Sequence, residues 1–246
     1  MTRARTGHIE TVAATPAGTR GFTLIELAVA LFVIVLVLGS LLVPLTTQVD
    51  QRQISDTEKT LQEIREALIG YAVANGNLPC PDTGTNGTEN VTGNSCTLFP
   101  GGISCGRLPH LNLGLGNSDL WGNRFTYCVN EVYARRGAGL TFTLAGGGTD
   151  VRICTSQACT TTLSTTAVFA IISHGKNGFG AVNFTSGATN PASGSVDEQE
   201  NYDTDKDVVS RPQFTGGTTA SEFDDIVVWL SKYTLFNRMV SGGKLP

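Results

Sequence analysis

The chain has 246 residues, of which 40% are hydrophobic and 15% are charged, and its formal net charge is −4. This length allows a folded domain with its own core. The slightly acidic balance, without a concentrated basic patch, excludes a typical nucleic-acid-binding surface, and we expect no nucleic-acid partner.

Residues 1–21 form a polar segment with three arginines, Arg3, Arg5 and Arg20. An apolar run then extends from Phe22 to Leu45. As a helix it would be about 36 Å long, enough to span a bilayer core of about 30 Å. A secretory signal has its cleavage site after the apolar run, whereas here the basic segment ends before it. Because arginines near a membrane span tend to stay cytoplasmic, we expect a single-pass protein with its amino terminus inside and its carboxy-terminal part in the periplasm.

Glu26 lies inside this apolar run, where a carboxylate costs several kcal/mol and marks a functional site by default. Residues Gly21 to Glu26 read Gly, Phe, Thr, Leu, Ile, Glu. This hexapeptide, behind a basic leader and before a membrane-length helix, resembles the prepilin family, which comprises type IV pilins and the pseudopilins of type II secretion. The alternative is an ordinary single-pass anchor with an incidental Glu.

The resemblance implies that a prepilin peptidase cuts between Gly21 and Phe22 and methylates the new amino terminus of Phe22. It assigns Glu26 to the amino terminus of an adjoining subunit. It implies as partners other pilin or pseudopilin subunits, an inner-membrane assembly platform and membrane lipid. The expected location is the bacterial inner membrane, and the filament after assembly.

The helix is predicted to continue beyond the membrane span, with a kink or local melting at Pro44, because proline lacks a backbone donor. From residue 46 apolar residues recur at a spacing of three to four, which is typical of an amphipathic helix: Ile54, Leu61, Ile64, Leu68 and Tyr71. The helix should end near Asn75, where Gly76 and Pro79 supply stop signals.

Residues 76–246 should form a periplasmic globular domain, rich in Gly and Thr and with short apolar runs that favour strands. Strands are predicted at 124–130, 140–144, 151–154 and 168–173, with a strand leading into a short helix over 224–239. We therefore predict an α+β fold, in which the long helix packs on a domain with a small antiparallel β-sheet and long disulfide-bonded loops, similar to type IV pilins.

Two further stretches extend the resemblance into this domain. The segment from Asp119 to Tyr127 looks like the Asp, Trp-Gly, aromatic pattern of major pseudopilins. The segment from Asp224 to Trp229 resembles carboxy-terminal segments of pseudopilin-like proteins. The chain departs from major pseudopilins in its greater length and its six cysteines.

The cysteines all lie in the part predicted to be external, and their number is even: Cys80, Cys96, Cys105, Cys128, Cys154 and Cys159. Disulfides are the expected state in an oxidising compartment, while zinc is disfavoured because there is no Cys-x-x-Cys pair. Cys154 and Cys159 are close enough in sequence to pair. The remaining four allow three connectivities.

Asp203, Asp205 and Asp207 alternate in an acidic segment. Calcium takes six to eight oxygen ligands, and alternating aspartates in a loop supply several, so we expect either a calcium site or a solvated acidic loop. The segment lacks the turn glycine and the final Glu of an EF-hand. Major pseudopilins are known for a calcium site in a carboxy-terminal loop, and the resemblance favours calcium.

Catalytic motifs are absent from the sequence. The stretch around Ser173 and His174 lacks the first glycine and the Ser or Thr of a phosphate-binding loop, and adjacent residues on a strand point to opposite faces. We therefore expect no enzyme. The predicted function is that of a structural subunit of a type II secretion pseudopilus or type IV pilus-like filament; the alternative is a minor pilin that displays an adhesin or substrate-binding module.

Overall fold

The computed structural model describes residues 21–96, 102–137, 140 and 150–245, and gives the backbone alone for residues 40–46. The chain divides into two compact units, one that ends at Val49 and one that begins at Asp50. The predicted leader lies outside the described residues except for Gly21. The predicted strand 140–144 lies outside them except for Leu140.

The described elements form an α+β fold. The helices are α1 (Leu24–Asn75), α2 (His110–Leu113), α3 (Glu131–Ala134), α4 (Val196–Glu200) and α5 (Lys232–Ser241). The strands are β1 (Val91–Thr92), β2 (Ser95–Cys96), β3 (Ile103–Arg107), β4 (Thr126–Asn130), β5 (Val151–Cys154), β6 (Thr162–Ser173), β7 (Asp207–Val209) and β8 (Ile226–Ser231).

Helix α1 has 52 residues and continues through Pro44, so the predicted local melting is not observed. It ends at Asn75, as the stop signals predict. Gly76 follows with a φ of +81°, and its N–H donates to the carbonyl oxygen of Ala72 at 2.8 Å. Glycine adopts this left-handed conformation without the steric cost of a Cβ, which makes it a common residue just after a helix.

The second unit is built around the part of α1 that begins at Asp50. One face of this segment is buried in the main hydrophobic core: Leu61, Ile64, Leu68, Ile69 and Ala72. Ile54 is only partly buried. The spacing of the buried residues follows the helical repeat, so the sequence predicts Leu61, Ile64 and Leu68 correctly. Tyr71, which the prediction also placed on this face, is half-buried, and its hydroxyl donates to Glu89 at 2.9 Å.

Strand β6 is central to the sheet, because it pairs antiparallel with β4, β5 and β8. Its side chains alternate between two cores, as the period of two in a strand requires. Phe169 and Ile171 face the core that contains α1, while Ala170 and Ile172 face a second core on the opposite side. Both faces of β6 are therefore buried from Ala167 to Ser173.

The sheet differs from the prediction in the direction of its strands and in which segments form them. It is mixed, because β7 runs parallel to β5, so the expectation of a wholly antiparallel sheet is wrong. In addition, β3 pairs with β4 across five positions, although the sequence analysis assigned no strand there. Apart from Ile103, the residues of β3 are Ser, Cys, Gly and Arg, which are not strong strand formers, and the pairing with β4 overrides this.

Three disulfides join the six cysteines: Cys80–Cys96, Cys105–Cys128 and Cys154–Cys159. They include the pair that the short spacing predicts. Cys105 and Cys128 are directly opposite each other on β3 and β4, so this disulfide joins two strands instead of closing a loop. The expectation that the disulfides belong to long loops is wrong for this pair.

We predict that Leu68→Ala destabilises the second unit by about 2–5 kcal/mol, because it removes a fully buried side chain and leaves a cavity. Urea unfolding followed by tryptophan fluorescence measures this unit selectively, since Trp121 and Trp229 both lie in it. Leu163→Ala is the matched control, because Leu163 is 52% exposed and its loss should cost less than about 0.5 kcal/mol. Equal losses in the two variants would contradict the packing of α1 on this core.

Candidate functional site

The amino-terminal turn of α1 carries the residues of the predicted processing and assembly site. Thr23 caps the helix: its hydroxyl oxygen accepts the N–H of Glu26 at 3.3 Å. In return the Glu26 carboxylate accepts the N–H of Thr23 at 3.4 Å. This reciprocal pair is a capping box, which satisfies two N–H groups that have no partner within the helix.

The sequence analysis missed this local role of Glu26, although the signal was present as Thr-x-x-Glu before an apolar run. Glu26 therefore has a partner within its own chain. A carboxylate in the first turn is also favourable toward the positive end of the helix dipole. In the free chain these contacts offset part of the cost of a charge in an apolar segment.

The side chains around Glu26 are apolar and exposed. Phe22 is 84% exposed and Leu24 is 87% exposed, and the large apolar residues from there to Leu38 are all at least 50% exposed. An apolar surface of this extent is rare on a soluble monomer and marks a surface that contacts something else.

Within the part of the chain that the structure describes, no helix is both long enough and apolar enough to cross a membrane.

The acidic segment is the second predicted site. The residues that cluster in the structure differ from the three predicted aspartates. Carboxylate oxygens of Glu200, Asp205 and Asp207 lie within 4.8 Å of one another. Asp203 is exposed and is not in this group, although it is close enough to act on Glu200 electrostatically. Glu200 reaches the cluster from α4, a placement that the spacing of the aspartates does not reveal.

Asp207 is not a loop residue, contrary to the prediction, because it begins β7. It forms a bidentate ion pair with Arg152 on β5. Asp205 accepts the N–H of Asp207, and Asp203 accepts the N–H of Asp205 at 3.2 Å. The donor set consists of oxygens and fits a hard cation such as calcium, but the guanidinium group already neutralises one carboxylate.

Glu200 is a residue of this cluster whose pKa is raised by its surroundings. Burial, together with the carboxylates of residues 203, 205 and 207, raises the pKa of Glu200 to about 7 from its ordinary value of 4.5. Near neutral pH Glu200 is therefore only partly ionised, and a nearby cation would favour its charged form.

A third group of acids was not identified from the sequence. Glu198, Asp224 and Asp225 are all buried, with carboxylate oxygens within 4.8 Å of one another. Burial raises the pKa of Asp224 to about 7 and raises the pKa of Asp225 well above its usual range. Amide groups share the cluster: Asn201 donates to Asp225 at 2.7 Å, and Asn177 donates to Glu198 at 3.0 Å. These bonds tie α4 and the turn after β6 to the start of β8.

Ser173 and His174 do not act together. The Ser173 hydroxyl donates to Asp119 at 2.8 Å, while the His174 Nε2 contacts the Thr126 hydroxyl at 2.8 Å. Burial lowers the pKa of His174 to about 4, so the ring is neutral at physiological pH. The two side chains have separate partners and form no nucleophile–base pair.

No family model matches the chain, and comparisons with curated proteins and with solved structures likewise found no match.

We predict that Glu200→Gln stabilises the second unit, and that the gain increases from pH 5 to pH 8. The pKa of Glu200 is higher in the folded chain, so between about 4.5 and about 7 the folded chain binds more protons and the free energy of unfolding falls as pH rises. The neutral amide of glutamine removes this loss in the free energy of unfolding, which is on the order of 1–3 kcal/mol at pH 8. Thermal unfolding in a chelator, measured at several pH values, tests this.

Glu58→Gln is the control, because Glu58 is exposed on α1 and should show no such trend. If calcium binds at the cluster, it should raise the unfolding temperature of the wild type at pH 8 more than that of Glu200→Gln. An unchanged unfolding temperature at millimolar calcium would argue against a calcium site.

Proposed function

We propose that this protein is a structural subunit of a type II secretion pseudopilus or type IV pilus-like filament. The single observation that carries the proposal is the exposed apolar start of α1, which follows Gly21 directly and has Glu26 in its first turn. A type IV pilin-like architecture is consistent with this helix and with an α+β unit that packs on its second half.

Processing is assigned to the bond between Gly21 and Phe22, with a prepilin peptidase as the partner that cuts it and methylates Phe22. A Cβ on Gly21 would meet no heavy atom within 4 Å, and Gly21 is not in the left-handed region. The described residues therefore place no demand for glycine at this position, which is consistent with its recognition by a peptidase.

Assembly is assigned to the apolar segment and Glu26. Subunits related by a rotation and a rise build an open filament through head-to-tail contacts, and the exposed apolar helices would form its core. Before assembly the segment would lie in the bacterial inner membrane, where a platform collects the subunits. In the filament the carboxylate of Glu26 would pair with the amino terminus of Phe22 on a neighbour.

The pair between Glu26 and the neighbouring amino terminus would select the register of the subunits more than it would stabilise the filament. Burying two opposite charges costs desolvation that their attraction roughly offsets, whereas leaving one charge buried and unpaired costs several kcal/mol. A subunit out of register leaves Glu26 without the neighbouring amine. Glu26 would thus set the register in which subunits join.

Mass spectrometry of the chain from cells with an active prepilin peptidase tests the processing step. The expected product begins at Phe22 and carries one added methyl group on its amino terminus. A chain that still begins at Met1 under these conditions would overturn the proposal.

We predict that Glu26→Gln inserts in the membrane and is cleaved, yet enters filaments poorly. Glutamine keeps the hydrogen bond of the capping box to the N–H of Thr23, so this variant removes the charge and leaves the helix start intact. The measurement is the fraction of the chain that is recovered in sheared filaments. We expect it to fall by at least about tenfold, the equivalent of about 1.4 kcal/mol.

Thr23→Ala is the matched control, because it removes the cap and keeps the charge. It should cost about 1 kcal/mol of helix stability and leave incorporation near the wild-type level. If Thr23→Ala blocks incorporation and Glu26→Gln does not, Glu26 acts as a helix cap and its role in assembly is refuted.

A further inference from the structure

A cavity of about 260 Å³ opens on the second unit, next to the ends of β3 and β4 and the segment after α4. It is separate from the acidic cluster, and the carboxylates of residues 203, 205 and 207 are not among its lining groups. Its charged lining consists of two arginines and one aspartate: Arg107, Arg124 and Asp82.

Both arginines have unsatisfied donors. The Nε atoms of Arg107 and Arg124 are buried and have no hydrogen-bond partner among the described residues. Arg124 has no carboxylate within ion-pair distance in the described part of the chain, and its guanidinium lies 6.0 Å from the centroid of the Phe184 ring. Buried charged donors without partners are costly, so the cavity favours an acceptor that carries negative charge.

Asp82 forms an ion pair with Arg107 but no hydrogen bond with the Nε atom of either arginine. Its two oxygens accept the N–H groups of Gly84 at 2.8 Å and of Gly87 at 2.9 Å, and its nearest approach to the Arg107 Nε is 3.9 Å. The cavity therefore has a formal charge of +1 and two planar guanidinium groups. This charge balances one carboxylate better than a doubly charged phosphate, and the guanidinium geometry suits a carboxylate.

The remaining wall is suited to a hydroxylated ring. Tyr202 lines the cavity and is held in place, because its hydroxyl accepts the N–H of Ser193 at 3.2 Å and its ring packs against Gly180, where a Cβ would lie 2.1 Å from the ring. Three threonines also line the cavity: Thr83, Thr126 and Thr204. The Thr126 hydroxyl also contacts His174 Nε2, and the Thr204 hydroxyl donates to the carbonyl oxygen of Asp203. An aromatic ring flanked by hydroxyls offers an apolar surface beside hydrogen-bonding groups.

We propose that this cavity binds a monoanionic sugar acid of the hexuronate class. The carboxylate is held by Arg124 and Arg107, and the sugar ring lies beside Tyr202 with its hydroxyls toward the threonines. The volume is slightly below the range of about 300–1,000 Å³ that is usual for ligand sites, which limits the ligand to about one sugar ring. The site does not depend on filament assembly, and it would give a ligand class to a binding module displayed on a filament.

The test is calorimetric titration of the purified full-length chain, unassembled and in nonionic detergent, with glucuronate. Glucose keeps the ring without the charge, acetate keeps the carboxylate without the ring, and inorganic phosphate tests a general anion site. We expect saturable binding of glucuronate with a dissociation constant on the order of 1 mM or tighter. Each of the other three probes should bind at least about tenfold more weakly.

Arg124→Gln should weaken glucuronate binding at least about tenfold, since it removes a charge-assisted contact. Arg238→Gln is the matched control, because Arg238 is 54% exposed, pairs with Glu66 and does not line the cavity. No saturation at about 10 mM glucuronate would overturn the proposal, as would equal binding of acetate or phosphate, or unchanged binding by Arg124→Gln. If Arg124→Gln does not fold, the relative binding of the four probes to the wild-type chain decides whether the proposal is correct. Because the chain is unassembled, failure here is independent of failure in filament assembly.

Discussion

The exposed apolar surface at the start of α1 is the constraint on which the proposed function depends. Among the described residues, the large side chains from Leu24 to Leu38 are at least 50% exposed, and burying such a surface is the dominant favourable term in association. A bilayer or the helices of neighbouring subunits would both cover it. Glu26 is consistent with either, because its contact with Thr23 stabilises the free helix end and its charge remains available to a neighbour.

In the second unit, α1 is part of the hydrophobic core. From Asp50 onward α1 has one apolar face, and this face packs against a sheet whose central strand, β6, is buried on both sides from Ala167 to Ser173. Three disulfides add cross-links around this core, and one of them joins β3 directly to β4. The loops and short helices around the sheet contribute buried polar groups.

Those polar groups fall into two kinds. The buried acids around α4 are bonded to amide and backbone N–H groups, and their raised pKa values follow from burial and mutual repulsion. The arginines of the cavity have buried Nε atoms without a hydrogen-bond partner among the described residues, and the Oδ1 atom of Asp224 is likewise without one. The two arginine Nε atoms differ in that their residues line a cavity, where a ligand could reach them.

The sequence by itself determined the features that depend on neighbouring residues: the end of α1 at Asn75, its buried face, the strand Val151–Cys154 and the Cys154–Cys159 pair. Helical periodicity, stop residues and the closure of a short loop depend on residues that are close in sequence, so they can be predicted from the sequence alone. Only the tertiary structure decided that Cys105 pairs with Cys128, that Glu200 and not Asp203 completes the acidic cluster, and that Arg107 and Arg124 line one cavity. These contacts join segments that are distant in sequence, and their partners are set by strand pairing and core packing, which no local pattern encodes.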